Sequence, residues 1–231
     1  RNDSLTSGLD STTLEVQMAE NHFETRLNTD FMHLGFESEA SFSKLKEAIS
    51  SSRFQDIFSL DSAQTINLQA LSGFPAFSLK AGARYDSIFT LFVPETVLNF
   101  GNFDLLMDKK SQDSMAQARL SVDRLLYRQF NVFGIGTSLK ANTEKLGCLA
   151  AIDSIQMGKV VLGKSSLDLN YLAGNVQGNL YVSDQAGVPI YKIGAQMLKQ
   201  HDQVIIQSTQ PEWTMNANTW AISPSEFMHW Q

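Results

Sequence analysis

Ser166-Leu167-Asp168-Leu169-Asn170-Tyr171 places an apolar side chain at every second position, and Val176-Gln177-Gly178-Asn179-Leu180-Tyr181-Val182 keeps nearly the same beat. A period of two puts alternate side chains on opposite faces of a pleated strand. From Ala118 to Gln207 one short alternating run follows another, each broken by small-residue turns, which predicts a sheet with one apolar side. The stretch also echoes itself. Val122-Asp123-Arg124-Leu125 and Ile152-Asp153-Ser154-Ile155 align without a gap 30 residues apart, and Phe130, Val132 and Leu139 then fall opposite Val160, Leu162 and Leu169. Such recurrence marks a chain that extends by repetition.

Outward from this stretch the same grammar holds. Leu14, Val16 and Met18, then Phe23, Leu27 and Phe31, flank a Glu20-Asn21 turn as a hairpin, and Leu34 to Ala40 continues it. From Phe42 the apolar spacing becomes three to four residues (Phe42, Leu45, Ala48, Ile49), which predicts a short amphipathic helix within 42–58. Strands are expected again at Thr65–Ala70, Phe77–Ala83, Ile88–Val93 and Val97–Met107, followed by a charged turn at Asp108–Asp113. The fold class is therefore all-β, an extended curved antiparallel sheet of repeated short strands, with hairpins and helix in residues 1–60 and a repeated-strand groove in 61–231. The density of aromatic residues from Trp213 to Trp230 reads as a cap on the core at the sheet's end.

Hydrophobic residues at 43% against 18% charged support a substantial core, and a net charge of −6 argues against nucleic acid or anionic lipid headgroups as the main partner. Cys148, the single cysteine, lies in an apolar run and reads as a buried, inert thiol. The four histidines, His22, His33, His201 and His229, show no metal-ligand or triad spacing, and no carboxylate pair stands out for acid/base work. Gly158-Lys159-Val160-Val161-Leu162-Gly163-Lys164-Ser165 matches the phosphate-loop pattern letter for letter. That chemistry needs a backbone cradle and a following helix, whereas Val-Val-Leu and the alternation after Ser165 predict strand. The sequence calls for no catalysis, metal or cofactor.

The strand starts Asp86-Ser87-Ile88, Asp123-Arg124-Leu125-Leu126-Tyr127 and Asp153-Ser154-Ile155-Gln156-Met157-Gly158 are followed by Leu167-Asp168-Leu169, Gly178-Asn179-Leu180-Tyr181-Val182 and Val204-Ile205-Ile206. From Phe77 to Trp230 this succession resembles the TamB/AsmA-like family of bacterial envelope-bridging proteins. The closing Trp213-Thr-Met-Asn216-Ala217-Asn218-Thr-Trp220 is similar to a repeat-ending element there, in which Pro often stands where this chain has Ala217. The resemblance implies a periplasmic segment of a longer protein anchored in the inner membrane. It also implies a curled sheet around an apolar groove that moves phospholipid between the two membranes, supports outer-membrane protein assembly, or both, with an outer-membrane barrel assembly protein as a further partner.

Physical chemistry reaches a groove by its own route, because a one-sided apolar sheet must cover that side with a second layer or a ligand. The expected lining is Leu167, Leu169, Tyr171, Val176, Leu180, Val182, Tyr191, Ile193, Met197, Val204 and Ile206, with the helix around Leu45 and Ile49 over an open end. The alternative is a closed β-sandwich or repeat interaction module in which the same residues form a dry core and no lipid binds.

Overall fold

The structure, a computed structural model, describes residues 11–50, 68–95, 97–110, 115–200, 203–222 and 228–230. Its strands are β1 (Thr13–Ala19), β2 (His22–Asn28), β3 (Met32–Ser38), β4 (Phe77–Ala83), β5 (Leu98–Phe100), β6 (Phe103–Lys109), β7 (Ala116–Tyr127), β8 (Phe130–Ala141) and β9 (Lys145–Ile152). There follow β10 (Ser154–Met157), β11 (Val160–Leu162), β12 (Ser165–Leu172), β13 (Asn175–Ser183), β14 (Pro189–Gln200), β15 (Gln203–Ser208), β16 (Glu212–Met215), β17 (Asn218–Ala221) and β18 (Met228–Trp230). One helix, α1 (Phe42–Ser50), and two short 3-10 helices, Leu68–Gly73 and Ser87–Leu91, complete the described elements.

All strands belong to one antiparallel sheet, which is not closed into a barrel. The main path runs β1-β2-β3-β4-β6-β7-β8-β9-β12-β13-β14. Beyond β14 it forks to β15-β18 and to the hairpin β16-β17. Among the described residues β1 pairs only with β2 and leaves a free edge. The described strands thus pair into a single sheet rather than two. β3 and β4 pair over seven residues, so the sheet runs unbroken past the expected boundary at 60/61, a position that itself lies outside the described residues.

Register turns the sequence alternation into rows. Leu14, Leu27, Leu34, Ala81, Leu105, Leu120, Thr137, Ala150, Leu167, Leu180 and Ile193 stand opposite one another in turn across eleven strands. Val16, Thr25, Phe36, Leu79, Met107, Ala118, Leu139, Cys148, Leu169, Gly178 and Ala195 form the next row on the same face. On the other face a row reads Glu24, Glu37, Ser78, Asp108, Gln117, Lys140, Gly147, Asn170, Gln177, Gln196. A one-residue slip anywhere would exchange the two faces, so the pattern itself fixes the register.

The 30-residue echo has a structural counterpart. In β7-β8 and again in β10-β11 a two-residue hairpin turns at Arg128 (φ 55°) and at Gly158 (φ 59°). In each copy the arms break at the same level, at Asp123 opposite Gly134 and at Asp153 opposite Lys164. Below this crease the apolar positions are Val122, Ile135, Ile152 and Leu167; above it their phase shifts by one, to Leu125, Val132, Ile155 and Leu162. Register stays in step because neighbouring strands shift together. Asn102 Nδ2 donates to Asp123 Oδ2 at 2.7 Å, and the Asp153 amide donates to the Phe133 carbonyl at 3.0 Å. Gly134 holds φ +62° with the Asp153 carboxylate where its Cβ would stand, so only glycine fits. Ala173-Gly174 and Asn216-Ala217 carry positive φ at both turn positions, the type I′ hairpin geometry. Proline, locked near −65°, cannot take position 217 at φ 61°, and this accounts for alanine there.

Two expected strands are corrected. Leu68–Gly73 is a 3-10 helix whose Leu68 and Leu71, three residues apart, pack on Ala141, while residues 65–67 lie outside the described residues. Ile88 to Leu91 also lies in a 3-10 helix. The Asp86 carboxylate caps it by accepting from the Ile88 amide at 3.0 Å, and Phe89 packs against Phe31, Tyr85 and Phe100. Local capping and aromatic burial outweigh strand propensity at both places. Val97–Met107 is two strands rather than one, parted at Gly101-Asn102 by the crease. The helix ends at Ser50, and 51–58 lie outside the described residues. In the phosphate-loop-like segment Val160–Leu162 is strand, and Ser165 opens β12 rather than a helix.

Candidate apolar groove

The open face is the feature on which a function can be built. Four neighbouring rows are apolar from β2 to β14, with three steps of two residues between the outer rows. At strand spacings of ~4.8 Å and ~3.4 Å per residue this is a trough roughly 40 Å long and 20 Å wide. Only nine hydrophobic residues among those described are buried, several of them at the trough's margins. The chain's accessible surface is 15391 Å², where a compact globule of 25.7 kDa would expose roughly 10,000 Å². Among the described residues no second sheet layer lies on the apolar face, and the sheet is groove-like in shape.

All eleven expected lining residues fall on this face. Leu167, Leu180 and Ile193 share one row; Tyr171, Val176, Met197 and Ile206 share another; Val182 pairs with Tyr191; Leu169 stands between Cys148 and Gly178; Val204 lies two residues from Ile206 on β15. Leu167 and Leu180 are 37% and 36% exposed. Tyr191 donates its hydroxyl to Asn216 Oδ1, and Trp213 donates Nε1–H to the Gly194 carbonyl at 3.0 Å, tying the β16-β17 hairpin to β14. Trp220 is 56% exposed, Trp213 is half-buried, and Phe227 of the expected aromatic cap lies outside the described residues. Cys148 is half-buried within the face.

Apolar clusters sit at strand ends on both rims. Leu68 and Leu71 cover Ala141 with Ala116, Leu139, Leu146 and Tyr171 packed around them. At the opposite rim Tyr85, Phe89, Phe31 and Phe100 form an aromatic cluster, and the Tyr85 hydroxyl is buried in it without a partner among the described residues. Phe42 of α1 packs on Phe23; Leu45 and Ala48 are buried, while Ile49 faces solvent. Clefts lie elsewhere: about 740 Å³ at the crease beside Lys164 and Tyr181, and about 560 Å³ on the polar face beside Arg119 and Leu149. No cluster of metal-ligating side chains occurs among the described residues, and none of their helices is long and apolar enough to cross a membrane.

Sequence reasoning missed one residue. Lys109 ends β6 in an apolar-face row, between Phe77 and Ala116, and is 5% exposed. It is the one charged side chain in the four rows between β2 and β14. Burial pushes its ammonium below the usual lysine range, partly offset by the Glu39 carboxylate. Because the folded pKa of Lys109 lies below its unfolded value of 10.5, the folded state disfavours its charge, a cost to stability that is full at low pH and is lost as pH rises through the folded pKa toward 10.5. Lys109→Met therefore raises the urea midpoint of lipid-free protein at pH 7, by an amount that shrinks as pH approaches 10.5 and wild-type lysine neutralises. A methionine variant less stable than wild type at pH 7 contradicts this. The signal available in the sequence was phase: Lys109 continues the Phe103, Leu105, Met107 alternation. No family model, curated protein or solved structure matches the chain.

Proposed function

We propose that this chain is a non-enzymatic, acyl-chain-carrying segment of a periplasmic, envelope-bridging β-groove protein of the TamB/AsmA-like kind. Phospholipid passes along its trough between the inner and outer membranes. An outer-membrane barrel assembly protein is the further partner that this setting implies. The observation that carries the proposal is an apolar face four rows wide with no second sheet layer on it among the described residues. Burial yields about 0.8 kcal/mol per CH₂, so ~15 methylenes supply over ~10 kcal/mol of gross transfer energy. No side chain has to react for the trough to work. The residue-level strand grammar that resembles this family supports the same setting.

The test is extraction of the protein in mild detergent, lipid analysis by mass spectrometry, and photo-crosslinking from probes at Leu169 and Ile193, with Asn170 and Gln177 on the opposite face as controls. Phospholipid in near-stoichiometric amount, crosslinked from 169 and 193 alone, is the expected result. Lipid-free protein, or crosslinks of equal yield from both faces, sinks the proposal.

A further inference from the structure

β1 ends the main path of the sheet, and all seven of its residues are exposed. The two-residue turn between β1 and β2 makes Ala19 and His22 a hydrogen-bonded pair, and bonded and non-bonded pairs then alternate along the register. The far end of β2 fixes the same parity, since the Thr29 amide donates to the Met32 carbonyl of the β2-β3 turn at 2.7 Å. Thr13, Glu15, Gln17 and Ala19 therefore bond β2, whereas Leu14, Val16 and Met18 aim their backbone groups outward. The same three carry apolar-face side chains, 65%, 48% and 65% exposed. Among the described residues nothing blunts this edge, because β1 holds none of the proline, lysine or bulge that keeps strands from pairing with other chains.

We propose that the β1 edge is the docking surface for a second copy of this chain, the two β1 strands pairing antiparallel about a two-fold axis at Val16. An outward-facing residue bonds only another outward-facing residue, so the even positions meet one another and the two apolar faces fall on the same side of one continued sheet. Val16 opposite Val16 overlaps the whole of β1, sets Leu14 against Met18 twice and brings Glu15 opposite the neutral Gln17. Three register pairs then exchange two hydrogen bonds each. A register centred on Glu15 instead opposes two carboxylates, and one centred on Gln17 leaves Thr13 and Leu14 opposite the turn residues Asn21 and Glu20. The pairing needs no lipid. It joins two apolar faces end to end through a small interface, which makes the dimer a weak one.

Sedimentation velocity of the full chain, from about 5 to about 300 µM as suits a small interface, shows monomer giving way to a species of twice the mass and no larger. Val16→Pro removes an outward-facing amide and spares the β1-β2 ladder, while Val16→Lys opposes two cations; each weakens association at least about tenfold with an unchanged circular dichroism spectrum. Gln17→Lys, facing Glu15 of the second copy, tightens it about threefold. Leu167→Glu with Leu180→Glu, in β12 and β13, leaves it unchanged, which separates edge pairing from troughs stacked face to face. Register is read by disulfide formation in a Cys148→Ser background: chains carrying Glu15→Cys and chains carrying Gln17→Cys crosslink when mixed and far less when kept apart. A monomer at every concentration, growth beyond two copies, association that survives both Val16 variants or is lost in the Leu167/Leu180 variant, or equal crosslinking of unmixed chains overturns the proposal.

Discussion

Glutamate placed at both Leu167 and Leu180 abolishes lipid retention while β12 and β13 stay paired. The two residues face each other across the strands at the open part of the trough, each a little over one third exposed. In the lipid-free protein both carboxylates keep water, and the cost to the sheet is limited to lost side-chain contact and like-charge repulsion of ~1 kcal/mol between opposed residues. An acyl chain changes that balance. Covering the row strips water from two carboxylates that have no cation opposite them, at several kcal/mol each. With every ~1.4 kcal/mol worth tenfold, bound phospholipid falls by at least about a hundredfold. The matching control, Asn170→Glu with Gln177→Glu, puts the same charges on the opposite face at another register pair of the same two strands and leaves lipid content unchanged. Lipid retained in the Leu167/Leu180 variant at wild-type stoichiometry, with an unchanged circular dichroism spectrum, removes the trough from consideration as the carrier.

The trough was largely legible because a period of two leaves little freedom: once strands pair in register, alternation in each becomes a face common to all. Leu167-Asp168-Leu169 alone implies which side Leu180, Ile193 and Ile206 take, and pairing places them there. Three things were not legible, for one shared reason. The 3-10 helices at Leu68 and Ser87 are built from residues with ordinary strand propensity, and distant partners decide their state, Ala141 for Leu71, Phe100 for Phe89. Lys109 looked like part of a charged turn because its row neighbours Phe77 and Ala116 are brought to it only by strand pairing. The crease was visible only as the Asp123/Asp153 echo. That the two aspartates lie opposite Gly134 and Lys164, where alternation changes phase, depends on pairing across strands.

The crease is also where the fold tolerates change least, and Gly163→Ala exposes this as the largest stability loss expected from one methyl group. The Gly163 amide donates to the Ser183 carbonyl at 2.8 Å, and the Ser183 amide donates back to the Lys164 carbonyl at 2.9 Å. Ser183, 2% exposed, adds its hydroxyl to the same Lys164 carbonyl at 3.2 Å. A Cβ on Gly163 would meet the main-chain carbonyl oxygen of Asp184 and the Ser183 Oγ, neither of which can yield without breaking this ladder. Ordinarily Gly→Ala gains ~0.4–1 kcal/mol by restricting the unfolded chain. Here overpacking against backbone, about 2–3 kcal/mol, outweighs that gain. For a chain of this size each kcal/mol moves the midpoint by ~2–4 °C, so calorimetry should record a fall of roughly 5 °C. Gly136→Ala, with nothing within 4 Å of the new methyl and no positive φ, isolates the unfolded-state gain and leaves the midpoint equal or slightly higher. Equal midpoints for the two variants contradict a tightly packed crease. A selective fall for Gly163 also gives this glycine of the phosphate-loop-like motif a steric role between two strands, with no nucleotide needed to account for it.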